Sequence, residues 1–417
     1  MVGAGSGLLL GYCTNVHAGL DTESILANLR QCALPVRRKL GRSSLGVGLW
    51  FSQGAAKELV GTERLDRFAR ELDQMGLVAY TINGFPQDDF HQKVVKHRVY
   101  RPAWWEPARL EYTRDLVRIM DRLLPSGVSG SISTLPIGWG SDAMDGAVAI
   151  PGTKQEDRCA RAASQLLLLA VELNELYERT GRRIRIALEP EPGCVFTDHA
   201  SMRAFYDRWW TSPWVSSAQG DLAREYLTVC HDICHSAVMG EDQHQQYELS
   251  CSAGIRVGKV QVSSAIRVAW SQLDLGSQER ALLQLSEFAE DRYLHQTLRI
   301  DAGGNRHLEE DLPEVLKRYL YGGRLLDQTT LSDQQWLIHF HVPIYLQRWG
   351  YIESTQSQII AWLKLAKSRP ELLGSEVAYE VETYAWGVLP SELRRESLDE
   401  GIAQEIAWLQ SQLDMMG

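Results

Sequence analysis

Hydrophobic and polar positions along this chain alternate between two rhythms. Short apolar, β-branched runs at 8–14, 45–51, 77–83, 130–135, 183–189, 226–232 and 256–263 read as strands. Between them, stretches with apolar residues three and four apart read as helices at 21–40, 62–75, 107–124, 155–180 and 202–210. Asp21 or Thr22 is placed to cap the first helix, and Gly41, Gly76 and Gly181 stop three of them. After Ser263 the rhythm fails for some seventy residues, where helical pieces at 279–287 and 312–320 sit among polar turns. It resumes with strands at 336–341 and 376–382 and helices at 356–368 and about 403–413.

Strands alternating with helices predict a parallel sheet, and about eight such units predict a (β/α)8 TIM barrel. The expected organisation is a single domain over 1–417 with an insertion at about 264–335, after strand seven. Nine candidate strands are one too many. The surplus one is assigned to 336–341, extending or covering the seventh-strand region. A doubly wound sheet is the alternative, but Gly11-Tyr12-Cys13 is not its phosphate-binding turn. The Gly-rich stretch 138–153 lacks phosphate-loop order and is given no nucleotide role.

Composition narrows the function classes. A formal charge of −10 gives no basic footprint, so nucleic acid is not an expected partner. Residues 7–11 are read as the start of a strand rather than a signal peptide, and no apolar run reaches the roughly 20 residues of a membrane span. Seven cysteines without scaffold spacing fit a reducing, cytoplasmic setting. Cys230 and Cys234 flank Asp232, but they are read as small apolar side chains rather than a thiolate zinc site.

Side chains at the C-terminal ends of barrel strands converge on one mouth. Glu189 ends strand five, Asp232 and His235 follow strand six, His339 and His341 lie on the 336–341 strand, and Glu382 ends the last strand. Three carboxylates and up to three imidazoles suit Mn, Zn, Mg or Co. Each taken singly has a plainer reading as a rim or packing residue, so the expectation rests on their coincidence. Substrate contacts are expected from His17, Asn83, Lys259 and Gln261, with Trp139 and Trp386 among the tryptophans that would form an apolar wall.

With these residues in view, the chain resembles the xylose isomerase-like TIM-barrel superfamily of sugar isomerases, epimerases and endonuclease IV-type nucleases. Ala187-Leu188-Glu189-Pro190-Glu191-Pro192 is similar to the isomerase strand reading Glu-Pro-Lys-Pro, with Glu191 in place of the lysine; Asp232-Ile233-Cys234-His235 matches Asp-x-x-His. Gln261 stands on strand seven where superfamily epimerases carry a metal-binding His, so His339 or His341 would substitute. More narrowly, the chain resembles the EboE family of metabolite traffic proteins. That likeness is carried by Gly11-Tyr12-Cys13-Thr14-Asn15-Val16-His17, Asn83-Gly84-Phe85-Pro86, Gly130 to Pro136, His339-Phe340-His341-Val342-Pro343 and Glu382-Thr383-Tyr384-Ala385-Trp386. It implies secondary-metabolite precursors and other Ebo-cluster proteins as partners.

The expected function is a divalent-metal-dependent isomerase or epimerase of a sugar, polyol or cyclitol. Glu189 and Glu382 would exchange the proton, and Glu189, Asp232, His235, His339, His341 and Glu382 would supply metal ligands. One alternative is a non-catalytic metabolite-binding or trafficking protein. The other is a metal-dependent phosphodiesterase of the endonuclease IV type.

Overall fold

The computed structural model describes residues 9–140, 154–213, 215–321, 324–325, 331–394 and 396–416. Most of the Gly-rich stretch 138–153 lies outside them. Eight parallel strands close a barrel: β1 (Leu9–Cys13), β2 (Leu45–Trp50), β3 (Leu77–Asn83), β4 (Gly130–Thr134), β5 (Ile184–Leu188), β6 (Leu227–Asp232), β7 (Val257–Val262) and, last in the chain, a strand at Ala378–Val381 that pairs with both β1 and β7. Helices surround it, as the alternation of rhythms predicts. Helix Glu63–Met75 shows the local logic: Thr62 Oγ1 accepts from Arg64 N at its start, and Gly76 ends it at φ 65°, a left-handed conformation that glycine adopts without steric cost.

The barrel interior is polar beneath its mouth. Lys259 Nζ lies 2.5 Å from Glu380 Oε1 and donates to Ser133 Oγ at 3.0 Å, all three fully buried. Room for Glu380 comes from Gly48, where a Cβ would sit 1.5 Å from Glu380 Oε2. A glycine inside a strand here marks a close approach, not a bend.

Between β7 and the last barrel strand the chain builds a second, antiparallel sheet. Its strands are β8 (Ile266–Ala269), β9 (Thr297–Ile300), β10 (Arg306–Glu309), β13 (Gln335–Ile338), β14 (Arg348–Trp349) and β15 (Ile352–Ser354), in the order β10-β9-β13-β8-β15-β14. The short pair β11 (Leu320–Tyr321) and β12 (Arg324–Leu325) forms a separate hairpin, which makes the closing barrel strand β16. The expectation of polar turns with helical pieces after Ser263 is corrected on this point. These strands are two to four residues long, and β8 finds its partner β13 some seventy positions away, so no local period announces them. The surplus 336–341 segment is β13 of this sheet and not a barrel strand. Its own core contains Ile266, Val268, Trp270, Leu285, Phe288, Trp336 and Phe340. Among the described residues no helix is long and apolar enough to cross a membrane.

Candidate metal centre

The site lies where β5, β6 and β16 end and the exit of β13 meets the barrel. β13 stops at Ile338, so His339 and His341 stand on an extended segment beyond it. That segment is pinned by His339 N to Gln296 O (2.9 Å) and Val342 N to Ser264 O (3.0 Å). Alternation then turns His339 and His341 toward the barrel, while Phe340 packs against Phe288 and His295 in the second core.

Asp232 caps the short helix Ile233–Val238. Its Oδ1 accepts from His235 N (2.9 Å) and Ser263 Oγ (2.8 Å), which leaves Oδ2 buried without a partner. His341 Nδ1 donates to Glu382 O (2.9 Å), so its Nε2 carries a lone pair; that atom also has no partner and lies 3.9 Å from Asp232 Oδ2. Glu382 Oε1 accepts from Asn15 Nδ2 (2.7 Å) and Asn83 Nδ2 (3.2 Å), and Glu189 Oε2 accepts from Gln261 Nε2 (3.1 Å). Glu189, Asp232 and Glu382 each offer an oxygen within 4.8 Å of the others, and Asp232, His235 and His341 form a second such group.

Three buried carboxylates at this spacing repel one another unless a proton or a cation intervenes. Burial, then Asp232 and Glu191, push Glu189 up to about 8 against the pull of His235 and Lys259. Glu382 is driven well above the usual carboxylate range by burial and by Glu189, Asp232 and Glu380. Asp232 moves the other way: burial raises it, but His235, His341 and its hydrogen bonds outweigh that and hold it low. Burial lowers His341 to about 4, so its imidazole is neutral and available as a ligand. An orphaned Oδ2 and an orphaned Nε2, 3.9 Å apart within a carboxylate cluster, are what a divalent cation would satisfy.

Above this floor opens a cavity of about 520 Å³, open space at its mouth included. The long loop after β3 supplies Phe85, Phe90, Val95 and Tyr100 to its wall, and Tyr293 and Tyr384 face them from the connection before β9 and from the turn after β16. Backbone bonds from Val95 and Lys96 to Arg292 O fasten the loop to the second sheet. Lys96, the cation on this wall, is paired with Asp311.

The other residues singled out in the sequence are distributed unevenly. Asn83 lines the cavity, and Gln261 acts behind Glu189. Lys259 is committed to Glu380 inside the barrel and does not reach the cavity wall. His17 bonds Tyr12 Oη (3.1 Å) in a separate small pocket with Ile25 and Leu29. Trp139 packs behind Tyr100, and Trp386 belongs to the second core, so neither tryptophan forms cavity wall. Cys234 lies near His339 and His341, but burial and the charge of Asp232 push its thiol up, away from the thiolate a metal would need.

Glu191 was passed over as a ligand. It lines the cavity, and its Oε1 accepts from Tyr100 Oη (2.8 Å) and Gln296 Nε2 (3.3 Å). The signal was its place two residues after Glu189, on the same side of an extended segment. Asn15 and Tyr384 fall within the 11–17 and 382–386 segments that the sequence singled out, whereas Tyr100 and Gln296 lie outside any strand and left no pattern to find.

No family model and no curated protein matches the chain. Solved structures do. A xylose isomerase-like TIM barrel protein from Mycobacterium smegmatis, in complex with magnesium, aligns with 98% of this chain and 98% of its own at 10% identity and TM-score 0.50. A xylose isomerase domain containing protein from Salmonella typhimurium LT2 covers 99% of each chain at 14% identity and TM-score 0.41. D-allulose 3-epimerase from Methylomonas sp. in complex with D-allulose covers 69% of this chain and 83% of its own at 14% identity and TM-score 0.38. The closed parallel barrel and the full-length alignment with the mycobacterial protein give this chain the xylose isomerase-like TIM-barrel fold.

Proposed function

We propose that the protein is a divalent-metal-dependent isomerase or epimerase of a sugar, polyol or cyclitol. The observation that carries the reading is the convergence of Glu189, Asp232 and Glu382 at the floor of a closed-in cavity, with unpartnered Asp232 Oδ2 and His341 Nε2 between them. Glu189, Asp232, Glu382 and His341 would hold the ion. Three oxygens and one nitrogen suit magnesium or manganese, and the mycobacterial protein of the same fold is in complex with magnesium. Such an ion, when bound, polarises a carbonyl and the neighbouring hydroxyl.

The chain's own residues do the rest. Glu189 and Glu382 come from β5 and β16, separated around the barrel by β6 and β7, so they can approach a substrate carbon from different sides. One carboxylate removes the proton next to the carbonyl, and the other carboxyl returns a proton. Burial and mutual repulsion raise both carboxyls above the usual range, Glu189 to about 8, while no cation stands between them. Asn15 and Asn83 fix Glu382, and Gln261 fixes Glu189. A place among the proteins that process or traffic a secondary-metabolite precursor rests on the resemblance of the 11–17, 339–343 and 382–386 segments to the EboE family.

The test is deuterium incorporation next to the carbonyl when ketohexoses and keto-cyclitols are incubated in D2O with Mg, Mn, Co or Zn. Incorporation is expected to need the metal and to vanish in Glu382→Gln with an unchanged melting curve. Full incorporation in that variant, or none with any ion and substrate, overturns the reading.

A further inference from the structure

The cavity is short of positive charge. Four carboxylates stand around it: Glu189, Glu191 and Glu382 in its lining, and Asp232 beside them. Lys96 is paired with Asp311, and among the described residues no other lysine or arginine lines the cavity. Burial keeps His339 and His341 neutral. Burial opposes charge on His235 too, but Asp232, Glu191 and Glu189 outweigh it and raise that imidazole above its ordinary value. A protonated His235 and one divalent ion at the floor would offset three of the four negative charges. The fourth has no counterpart in the lining.

Glu191 is the carboxylate left over, since the proposed metal ligands are Glu189, Asp232, Glu382 and His341. Its Oε1 accepts from Tyr100 Oη (2.8 Å) and Gln296 Nε2 (3.3 Å), whereas Oε2 has only the Cys194 thiol at 3.9 Å. A thiol is a weak donor, so this buried oxygen is poorly satisfied until a stronger one arrives. A second acceptor on the same cavity is unsatisfied. Asn15 gives its Nδ2 to Glu382 and keeps Oδ1 buried without a partner. The wall around these acceptors is aromatic: the rings of Phe85 and Tyr100 have centroids 6.0 Å apart, and those of Phe90 and Tyr384 5.4 Å. Burial, then the charge of Glu191, raise the phenols of Tyr100 and Tyr384, so both remain neutral rings. Neutral aromatic faces beside a carboxylate are surroundings that take an ammonium group. A phosphate would meet carboxylates and no free cation.

We propose that the substrate carries a protonated amine, as an amino-substituted sugar, polyol or cyclitol does, and that Glu191 is the residue that selects it. For the reacting end of the substrate this rests on the metal-centre reading above: the ion takes the carbonyl and its neighbouring hydroxyl, and Glu191 takes the ammonium group at another carbon. The parent compound, with a hydroxyl in place of the amine, can still donate one hydrogen bond to Oε2 but leaves the charge of Glu191 uncompensated. A phosphorylated compound adds negative charge to a cavity that already holds an excess.

The experiment compares ketohexoses and keto-cyclitols with their amino-deoxy counterparts, substituted at each position in turn, and with their phosphates. Binding to the full-length protein in saturating magnesium is read by calorimetry, and deuterium incorporation is followed in parallel. At least one amino-deoxy compound is expected to bind on the order of tenfold to a hundredfold more tightly than its hydroxyl parent, the worth of a hydrogen bond to a charged group. Glu191→Gln should bring the two affinities together while the bound magnesium is retained. Equal affinity within every pair, no binding of any compound, or a preference for the phosphates overturns the amine site, and this comparison within the unaltered protein is decisive whether or not the variant folds. Deuterium incorporation alongside equal affinities leaves the isomerase reading standing. A preference for the amine that survives in Glu191→Gln overturns the role of Glu191. Tighter binding of an amine, lost in Glu191→Gln but without incorporation from any compound, overturns the isomerase reading and upholds the ammonium site.

Discussion

At the scale of single residues, the chain's ligand types are easier to read than their partners. Glu189, Asp232, His235 and Glu382 are visible because each follows an apolar run that the fold aims at one mouth. Their orienting groups are not, since nothing in the sequence near Asp232 points to Ser263, thirty-one positions later. Yet Ser263 Oγ donates to Asp232 Oδ1 at 2.8 Å and accepts from Cys234 N at 2.9 Å. It thereby turns Oδ2 toward the cluster. Outer hydrogen bonds of this kind are worth on the order of 10- to 100-fold in metal affinity. Ser263→Ala is therefore expected to weaken magnesium or manganese by about that factor while leaving the melting temperature of the metal-free protein nearly unchanged. Competition against a chelator of known affinity measures it, and an unchanged affinity would show that Asp232 needs no such support.

At the scale of elements, the barrel strands were legible because most are buried runs rich in apolar and β-branched residues, although β4 and β7 carry polar side chains into the barrel, and Gly46 and Gly48 in β2 make sense only once Tyr80 and Glu380 fill the space they leave. The second sheet was illegible for the opposite reason. Its strands are short, three of their five pairings are distant, and helical pieces such as Leu275–Ser286 interrupt them. One element joins the two halves in a way that titrates. The closing helix Leu398–Met416 buries Glu405, whose Oε1 accepts from Thr383 Oγ1 (2.7 Å), next to Glu382, and from Ile344 N (3.0 Å), at the exit of the second sheet. Burial raises its pKa to about 7, and the two hydrogen bonds offset only part of that. A carboxyl whose folded pKa lies above its unfolded value binds more protons in the native state between those two values. Its contribution to stability is present in full below the unfolded pKa, near 4.3, and is lost as pH rises through about 7, by at most about 4 kcal/mol. Glu405→Gln keeps both accepted bonds and removes the titration. Its melting temperature should fall less than the parent's between pH 5 and 8, with the two curves crossing over that window; parallel curves would assign the pH dependence to other groups.

At the scale of the whole molecule, the barrel supplies most of the proposed ligands, and His341 reaches them from the exit of the second sheet. Polar groups hold the junction around the site: His341 on Glu382 O, Gln296 on Glu191 and Pro192 O, Lys96 on Asp311. The apolar packing at the junction is a small aromatic cluster, Phe90, Tyr293 and Tyr384 with Trp50 and Val95, beside the two larger cores. A body built this way can open at the junction without unfolding the barrel. Ions that take ligands from both halves bind only the closed form, and they stabilise it by about 2.7 kcal/mol at one hundred times the dissociation constant. Stripping the metal should then accelerate amide exchange across 295–300 and 336–342 and leave β2 and β3 unchanged. Equal acceleration throughout the chain would mean that barrel and second sheet unfold as one unit. No acceleration anywhere would mean that the carboxylates and imidazoles hold the junction without a cation, through protons shared among Glu189, Glu382 and His235. The outcome at 336–342 is the decisive one, because His341, the proposed ligand that the barrel does not itself provide, lies just beyond β13 within that segment.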